Sequence, residues 1–175
     1  MASASSIPVM KPSKVVRVLE FRINAAHITN ADVAIVCCID PRWWKPYEFE
    51  GNRISSVQAF LNTKGWEDSV PLTEAGGIKV LVSNDPADVA CREVLFARIE
   101  QELGLHHPRV LAISVHRDCG AYGYTKAFGN DEGSESARLY ADLWQAKQLL
   151  EPRFGSRAKL EFYVFDAEGV EEISF

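Results

Sequence analysis

The sequence predicts an α/β fold built on a mainly parallel β-sheet. Three observations carry this. Residues 33–38 (VAIVCC) and 109–115 (RVLAISV) are short continuous apolar runs rich in β-branched residues, as expected of strands buried on both faces. Segments with apolar residues at helical spacing lie between and after them, and strands alternating with helices favour parallel pairing. Near the end, KLEFYVF (159–165) alternates in the way of a strand, and VEEISF follows a Glu168-Gly169 turn as a candidate edge strand.

Taken in order, residues 15–22 (VVRVLEFR) mix apolar and charged positions and read as a strand. Pro41 ends the run at 33–38. Residues 53–63 place Ile54, Val57, Phe60 and Leu61 at helical spacing, closed by Gly65. Residues 70–82 read as extended, punctuated by Gly76-Gly77. The clearest helix spans 86–104: Asp85 is a cap, Pro86 suits the first turn, Gly104 ends it, and Val89, Val94, Leu95, Ile99 and Leu103 share most of one face. Residues 134–150 form another helix, with Leu139, Leu143, Leu149 and Leu150 on one side.

The 175 residues, 47% hydrophobic and 25% charged, suit one domain with a real core. No repeat, low-complexity tract or linker divides them. The expected organisation is a flexible N-terminal arm at 1–14 and a single domain at 15–175. A net charge of −5, from 19 basic and 24 acidic residues without a polybasic run, excludes the usual nucleic-acid binder. No apolar stretch approaches the roughly 18–20 residues of a membrane span. The N-terminus lacks the apolar core of a signal peptide, so a cytoplasmic location is expected. In that compartment the four cysteines are expected to be reduced, buried or metal-bound.

Two strand ends carry unusual polar clusters, Cys38-Ile39-Asp40-Pro41-Arg42 and His116-Arg117-Asp118-Cys119-Gly120. Ligands of open α/β sheets bind outside the carboxyl ends of the strands. His116 and Cys119, two residues apart across a turn, can aim at one point, and Cys38 can join them from a neighbouring strand. Thiolate and imidazole are preferred zinc ligands, and three protein ligands leave the fourth position open, as in catalytic sites. Asp40 and Arg42 are spaced to form a bidentate bridge that places a carboxylate beside the metal, able to orient a bound water or take its proton.

Plainer alternatives stand beside each assignment. Cys38, His116 and Cys119 can be ordinary buried residues, or a closed structural zinc site with Asp40 as fourth ligand. Asp40 and Arg42 can be a structural salt bridge. Cys37 faces away from Cys38 and is expected in the core, as is Cys91 on the long helix. Asp118 either orients a ligand or caps a following helix, the cap being favoured; His106 and His107 are expected at the surface, as is His27, with a proton-shuttle role as its alternative. Trp43 and Trp44 either line a pocket or meet a partner subunit, the interface being favoured. Gly76-Gly77, Gly120 and Gly123 form no dinucleotide or phosphate loop.

With CIDPR at 38–42 and HRDCG at 116–120, the sequence resembles the β-class carbonic anhydrases, which carry Cys-x-Asp-x-Arg after one strand and His-x-x-Cys after another. The segment from Ala87 to Gly123 and the ending YVFDAEGVEEI (163–173) are also similar to that family. The resemblance covers residues 32–42 and 70–175. It implies about four strands plus an antiparallel edge strand, flanked by helices, and zinc on Cys38, His116 and Cys119. It further implies catalytic roles for Asp40 and Arg42, and a homodimer or a higher oligomer of dimers. The implied reaction is hydration of carbon dioxide to bicarbonate and a proton. Three positions depart from the family. Pro41 stands where Ser is usual, residues 43–70 are longer and carry Trp43, Trp44 and Trp66, and Thr73-Glu74 replace Arg-Asn before Ala75-Gly76. These departures keep two alternatives open: hydrolysis of carbon disulfide or carbonyl sulfide on the same site, and a non-catalytic zinc-stabilised binding protein.

Overall fold

The computed structural model describes residues 30–175; the expected arm at 1–14, the strand at 15–22 and His27 lie outside them. Strand β1 (Val33–Cys38) is buried along its whole length, as its uninterrupted apolar run requires. It lies between β4 (Ser69–Glu74) and β5 (Val110–His116), each parallel to it. Beyond β5 come β6 (Lys159–Phe165), also parallel, and β7 (Val170–Ile173), antiparallel to β6. The sheet order is β4-β1-β5-β6-β7. The Asp166 carboxylate closes the last turn by accepting the amide N–H groups of Glu168 and Gly169, both at 2.8 Å. The fold class read from the sequence is therefore the observed one, four parallel strands with an antiparallel edge.

Alternation along the strands divides the core in two. On one face Ala34, Val36, Leu111, Ile113, Phe162 and Val164 pack against α3 (Lys79–Val82), α4 (Pro86–Leu105) and α5 (Glu132–Phe154). On the other, Val33, Ile35, Cys37, Ala112, Tyr163 and Phe165 meet Val57, Phe60 and Leu61 of α2 (Ser56–Lys64), together with Trp66. Each fully buried large aliphatic side chain contributes about 1.5–3 kcal/mol, so these two layers dominate the fold's stability. Caps set the helix starts: Ser55 accepts the Gln58 amide at 3.1 Å, Asp85 that of Ala87 at 2.8 Å, and Asp131 that of Ser134 at 3.0 Å. Among the described residues no helix is long and apolar enough to cross a membrane.

Three local expectations are corrected. Ile54 belongs to a hairpin, β2 (Tyr47–Phe49) with β3 (Asn52–Ile54), and the helix begins only at Ser56. The hairpin turns at Glu50 and Gly51, φ 48° and 77°, a tight turn usually announced by Asn-Gly or Asp-Gly. Residues 70–82 are not extended throughout: the strand stops at Glu74, and Lys79–Val82 is a helical turn. Gly76 and Gly77, φ 76° and 60°, reverse the chain against the sheet; a Cβ on Gly77 would lie 2.4 Å from the Ser114 carbonyl oxygen. Finally, Cys91, Val89 and Val94 are exposed rather than in the core. The covered stripe of α4 is Leu95, Phe96, Ile99 and Leu103, while over residues 86–94 only Asp88 and Arg92 are half-covered. Asp88 pairs with Lys79 at 3.3 Å, and Arg92 donates to the Val80 and Ser83 carbonyls.

Candidate metal centre

Because β1 and β5 are parallel neighbours, their carboxyl ends lie side by side, and Cys38 and His116 are the last residues of each. The Ser114 hydroxyl ties the two ends together, donating to the Val36 carbonyl at 2.9 Å. After His116 the chain turns through Asp118 in the left-handed region, φ 51°, which returns Cys119 toward Cys38. Cys119 then opens a short 3-10 turn, Gly120–Tyr122. The ligand atoms of Cys38, His116 and Cys119 all lie within 4.8 Å of one another, and all three residues are buried.

The geometry fits a metal ion better than a protein-only contact. The Cys38 and Cys119 sulfurs are 4.0 Å apart. That is too far for a disulfide but close to the ~3.8 Å expected of two sulfurs around tetrahedral zinc. His116 Nδ1 donates to the Arg117 carbonyl at 2.8 Å, which leaves the Nε2 lone pair bare. That Nε2 is buried without a hydrogen-bond partner. An orphaned lone pair facing two sulfurs in the interior is costly unless a Lewis acid meets it. The donor set, two sulfurs and one imidazole, is one that zinc favours.

The thiols are electrostatically unequal. A hydrogen bond from Cys119 draws the Cys38 thiol far below its ordinary pKa; burial opposes this, while the backbone N–H groups of Asp40 and Gly76 assist. The Gly76 N–H is 3.3 Å from the sulfur. Cys119 is pushed up, by sharing that proton with Cys38 and by burial. A dication between the two would stabilise both as thiolates. Cys37 faces the other core, where burial pushes its thiol up to about 12, so it is a neutral core residue.

Asp40 and Arg42 form the anticipated bridge. Arg42 Nε lies 3.1 Å from both Asp40 oxygens and Nη2 lies 2.8 Å from Oδ2. The Arg42 guanidinium thereby holds the Asp40 carboxyl below the usual range. Asp40 also caps α1 (Pro41–Trp44), accepting the Arg42 amide at 2.9 Å. Pro41 sits at the first helical position, where its missing N–H is not needed. Asp40 Oδ2 is 3.8 Å from His116 Nε2, so the carboxylate stands beside the cluster while bound to Arg42.

The contacts of other residues at the site emerge only in the structure. Asp118 does not cap the 3-10 turn that directly follows it. Its carboxylate accepts from Arg42 Nη1 at 3.0 Å and from the Thr125 amide at 3.3 Å, and its carbonyl accepts from Arg42 Nη2 at 2.7 Å. Glu135 of α5, 1% exposed, accepts the Asp118 amide at 2.7 Å. Its one sequence signal is a position four residues before Leu139 on the buried stripe. Within the chain itself, both tryptophans stand at the site. Trp44 Nε1 donates to the Cys38 carbonyl at 3.1 Å, and the Trp43 ring packs 5.2 Å from His116 and 5.7 Å from Phe165. Trp43 borders both an open polar cleft of about 710 Å³, with Arg42, Arg117 and Asp118, and a pocket of about 10 Å³ against Cys38, His116 and Phe165.

Fold and site together define an α/β chain whose Cys-His-Cys cluster, at the carboxyl ends of adjacent parallel strands, can hold a metal ion. No family model and no curated protein matches the sequence. Among solved structures the chain is similar to a carbonic anhydrase from Glaciozyma antarctica, at 18% identity and a TM-score of 0.49, over 86% of this chain and 87% of that one. It is also similar to the apo form of a carbon disulfide hydrolase, at 14% identity and a TM-score of 0.43, over 82% of this chain and 78% of that one.

Proposed function

We propose that the protein is a zinc-dependent enzyme that hydrates carbon dioxide to bicarbonate and a proton, with Cys38, His116 and Cys119 as ligands and Asp40 and Arg42 as catalytic residues. The observation that carries it is the bare, buried Nε2 of His116 facing two sulfurs, with a carboxylate 3.8 Å away and held by an arginine. Zinc held there would supply Lewis acidity that lowers the pKa of a bound water to roughly 7.

The chain's own residues do the rest. The Arg117 carbonyl fixes the His116 ring by its Nδ1 proton. Asp40, ionised by its pairing with Arg42, accepts at Oδ2 the proton that hydration releases; its partner Arg42 lines the polar cleft that leads to solvent. Arg42 is anchored by Asp118, which keeps Asp40 from collapsing onto the cluster. Trp43 and Phe165 keep the metal side dry. The same reading carries self-association as a homodimer or a higher oligomer of dimers, to be read by light scattering.

The test is stopped-flow carbon dioxide hydration by zinc-loaded protein between about pH 6 and pH 9, with Cys38→Ser as control. A metal-dependent rate that the substitution abolishes is expected; no such rate at any pH overturns the proposal. The residues walling the metal side, Cys37, Val57, Val115 and Phe165, are apolar, which motivates carbon disulfide or carbonyl sulfide hydrolysis as the second reading. Sulfide released from these, without carbon dioxide hydration, would select that reading.

A further inference from the structure

We propose that Glu135 is a positioning residue for the metal centre: it locks the left-handed turn at Asp118, and through it both the Cys119 ligand and the Arg42–Asp40 pair. Its kinetic consequence rests on the function proposed above; its effect on metal binding requires only that the cluster binds zinc.

A carboxylate this buried needs partners for both oxygens. Oε1 accepts the Asp118 amide at 2.7 Å and Oε2 the Thr125 hydroxyl at 2.9 Å. Both partners belong to one loop, and Cys119 lies between them. The loop is strained at either end, with Asp118 at φ 51° and Tyr124 at φ 62°, conformations that non-glycine residues hold only when their surroundings impose them. Within the loop the Tyr124 amide donates to the Cys119 carbonyl at 2.9 Å, and the Thr125 amide to Asp118 Oδ1 at 3.3 Å. Glu135 reaches the loop from a long helix docked on the sheet, on Asp118 and Thr125, while Arg42 reaches Asp118 from the β1 side. It is not needed to start that helix, because Asp131 already caps it.

The turn has a purpose at its other end. In the left-handed conformation Asp118 presents its own carbonyl and its carboxylate to the same guanidinium, at 2.7 Å and 3.0 Å. The adjacent edge of Arg42, Nε and the shared Nη2, grips Asp40. Three links therefore run from the helix to the catalytic carboxylate: Glu135 to Asp118, Asp118 to Arg42, Arg42 to Asp40. A second path runs from Asp118 to its neighbour Cys119, the metal ligand. Outer partners of this kind orient the groups that touch the metal.

Two substitutions separate hydrogen bonding from bulk. Glu135→Gln keeps both contacts: its amide oxygen accepts from Asp118 and its NH2 donates to the Thr125 hydroxyl, which can turn. Glu135→Ala removes both. Zinc affinity of the full chain is measured by competition with a chromophoric chelator, beside thermal melting and carbon dioxide hydration. Glu135→Ala is expected to weaken zinc by about 10–100-fold and to lower kcat with KM nearly unchanged; Glu135→Gln is expected to restore both. A folded Glu135→Ala protein with native zinc affinity overturns the inference. If that variant does not fold, Thr125→Val, which removes the 2.9 Å contact to Oε2 and a longer one of 3.5 Å to Asp118 Oδ1, decides the matter: weakened zinc supports the role and native affinity overturns it. A native chain that binds no zinc overturns this inference together with the proposed function. One that binds zinc without hydrating carbon dioxide overturns only the function.

Discussion

Arg42 and Asp118, 76 positions apart in sequence, meet twice, through the Asp118 carboxylate at 3.0 Å and its carbonyl at 2.7 Å. The guanidinium that grips Asp40 is thus anchored to the same loop that carries Cys119. An arginine holding only Asp40 could swing with it; one tied to a second strand end cannot.

Asp118→Ala should separate stability from function. Both side chains of the Arg42–Asp118 pair are about half exposed, so the pair contributes at most about 1 kcal/mol to folding. Thermal melting should change little. The rate of carbon dioxide hydration should fall about 10–100-fold, because Arg42 loses its anchor. A rate equal to the native one would show that Asp40 needs no such support.

Stability should fall toward acid pH, with Asp40 contributing. Its folded pKa lies below the ordinary 3.8, through hydrogen bonds from Arg42. A carboxyl with a depressed folded pKa stabilises the fold above its unfolded pKa and loses that contribution as pH falls through the folded value. Melting temperature should therefore drop below about pH 4, and Asp40→Asn should flatten part of that decline. An identical acid limb in the variant would contradict the shift.

The two adjacent cysteines should behave oppositely. Cys38→Ala is expected to abolish zinc binding, measured by metal stoichiometry after dialysis. Cys37→Ala should retain one zinc and lose about 1 kcal/mol of stability, since it removes a buried sulfur from the α2-side core. Chelating zinc from the native chain should lower its melting temperature, because a ligand bound only to the folded state adds about 2.7 kcal/mol at a hundredfold excess over Kd.

Trp43→Ala should open the small pocket to the polar cleft. The ring walls both spaces and packs on His116 and Phe165. Removing a half-buried indole should cost about 1–3 kcal/mol, below the range for a fully buried one. Bulky carboxylates such as benzoate should then compete for the metal where they did not before, visible as shifts in the d–d bands of cobalt-substituted protein. Unchanged size selectivity would mean that Trp43 is not the wall.

Much of the site was legible because its features are local. A continuous apolar run marks a doubly covered strand wherever it falls, and β1 and β5 lie where their composition put them. Polar residues following such runs must leave the sheet at its carboxyl edge, so Cys38, His116 and Cys119 were readable as one cluster. The Glu50-Gly51 hairpin was not, because Glu is an unusual choice for a left-handed turn position. Nor was the helical turn at Lys79–Val82: two of its three apolar residues, Val80 and Val82, are β-branched, and only the packing of Gly77 against Ser114 shows that the strand has ended.

What the sequence determined by itself was the parallel sheet, the antiparallel edge, and the chemical identity of a Cys-His-Cys cluster with an Asp-Arg pair beside it. These depend on side-chain period, turn chemistry and spacing along the chain. Only the tertiary structure decided that Arg42 is divided between Asp40 and Asp118, that Glu135 lies beneath that loop, that Trp43 faces His116, and that Cys91 is exposed. The reason is physical: each depends on where α5, α4 and the Trp43-Trp44 turn dock on the sheet. That docking is set by the summed packing of distant residues, which no local stretch encodes.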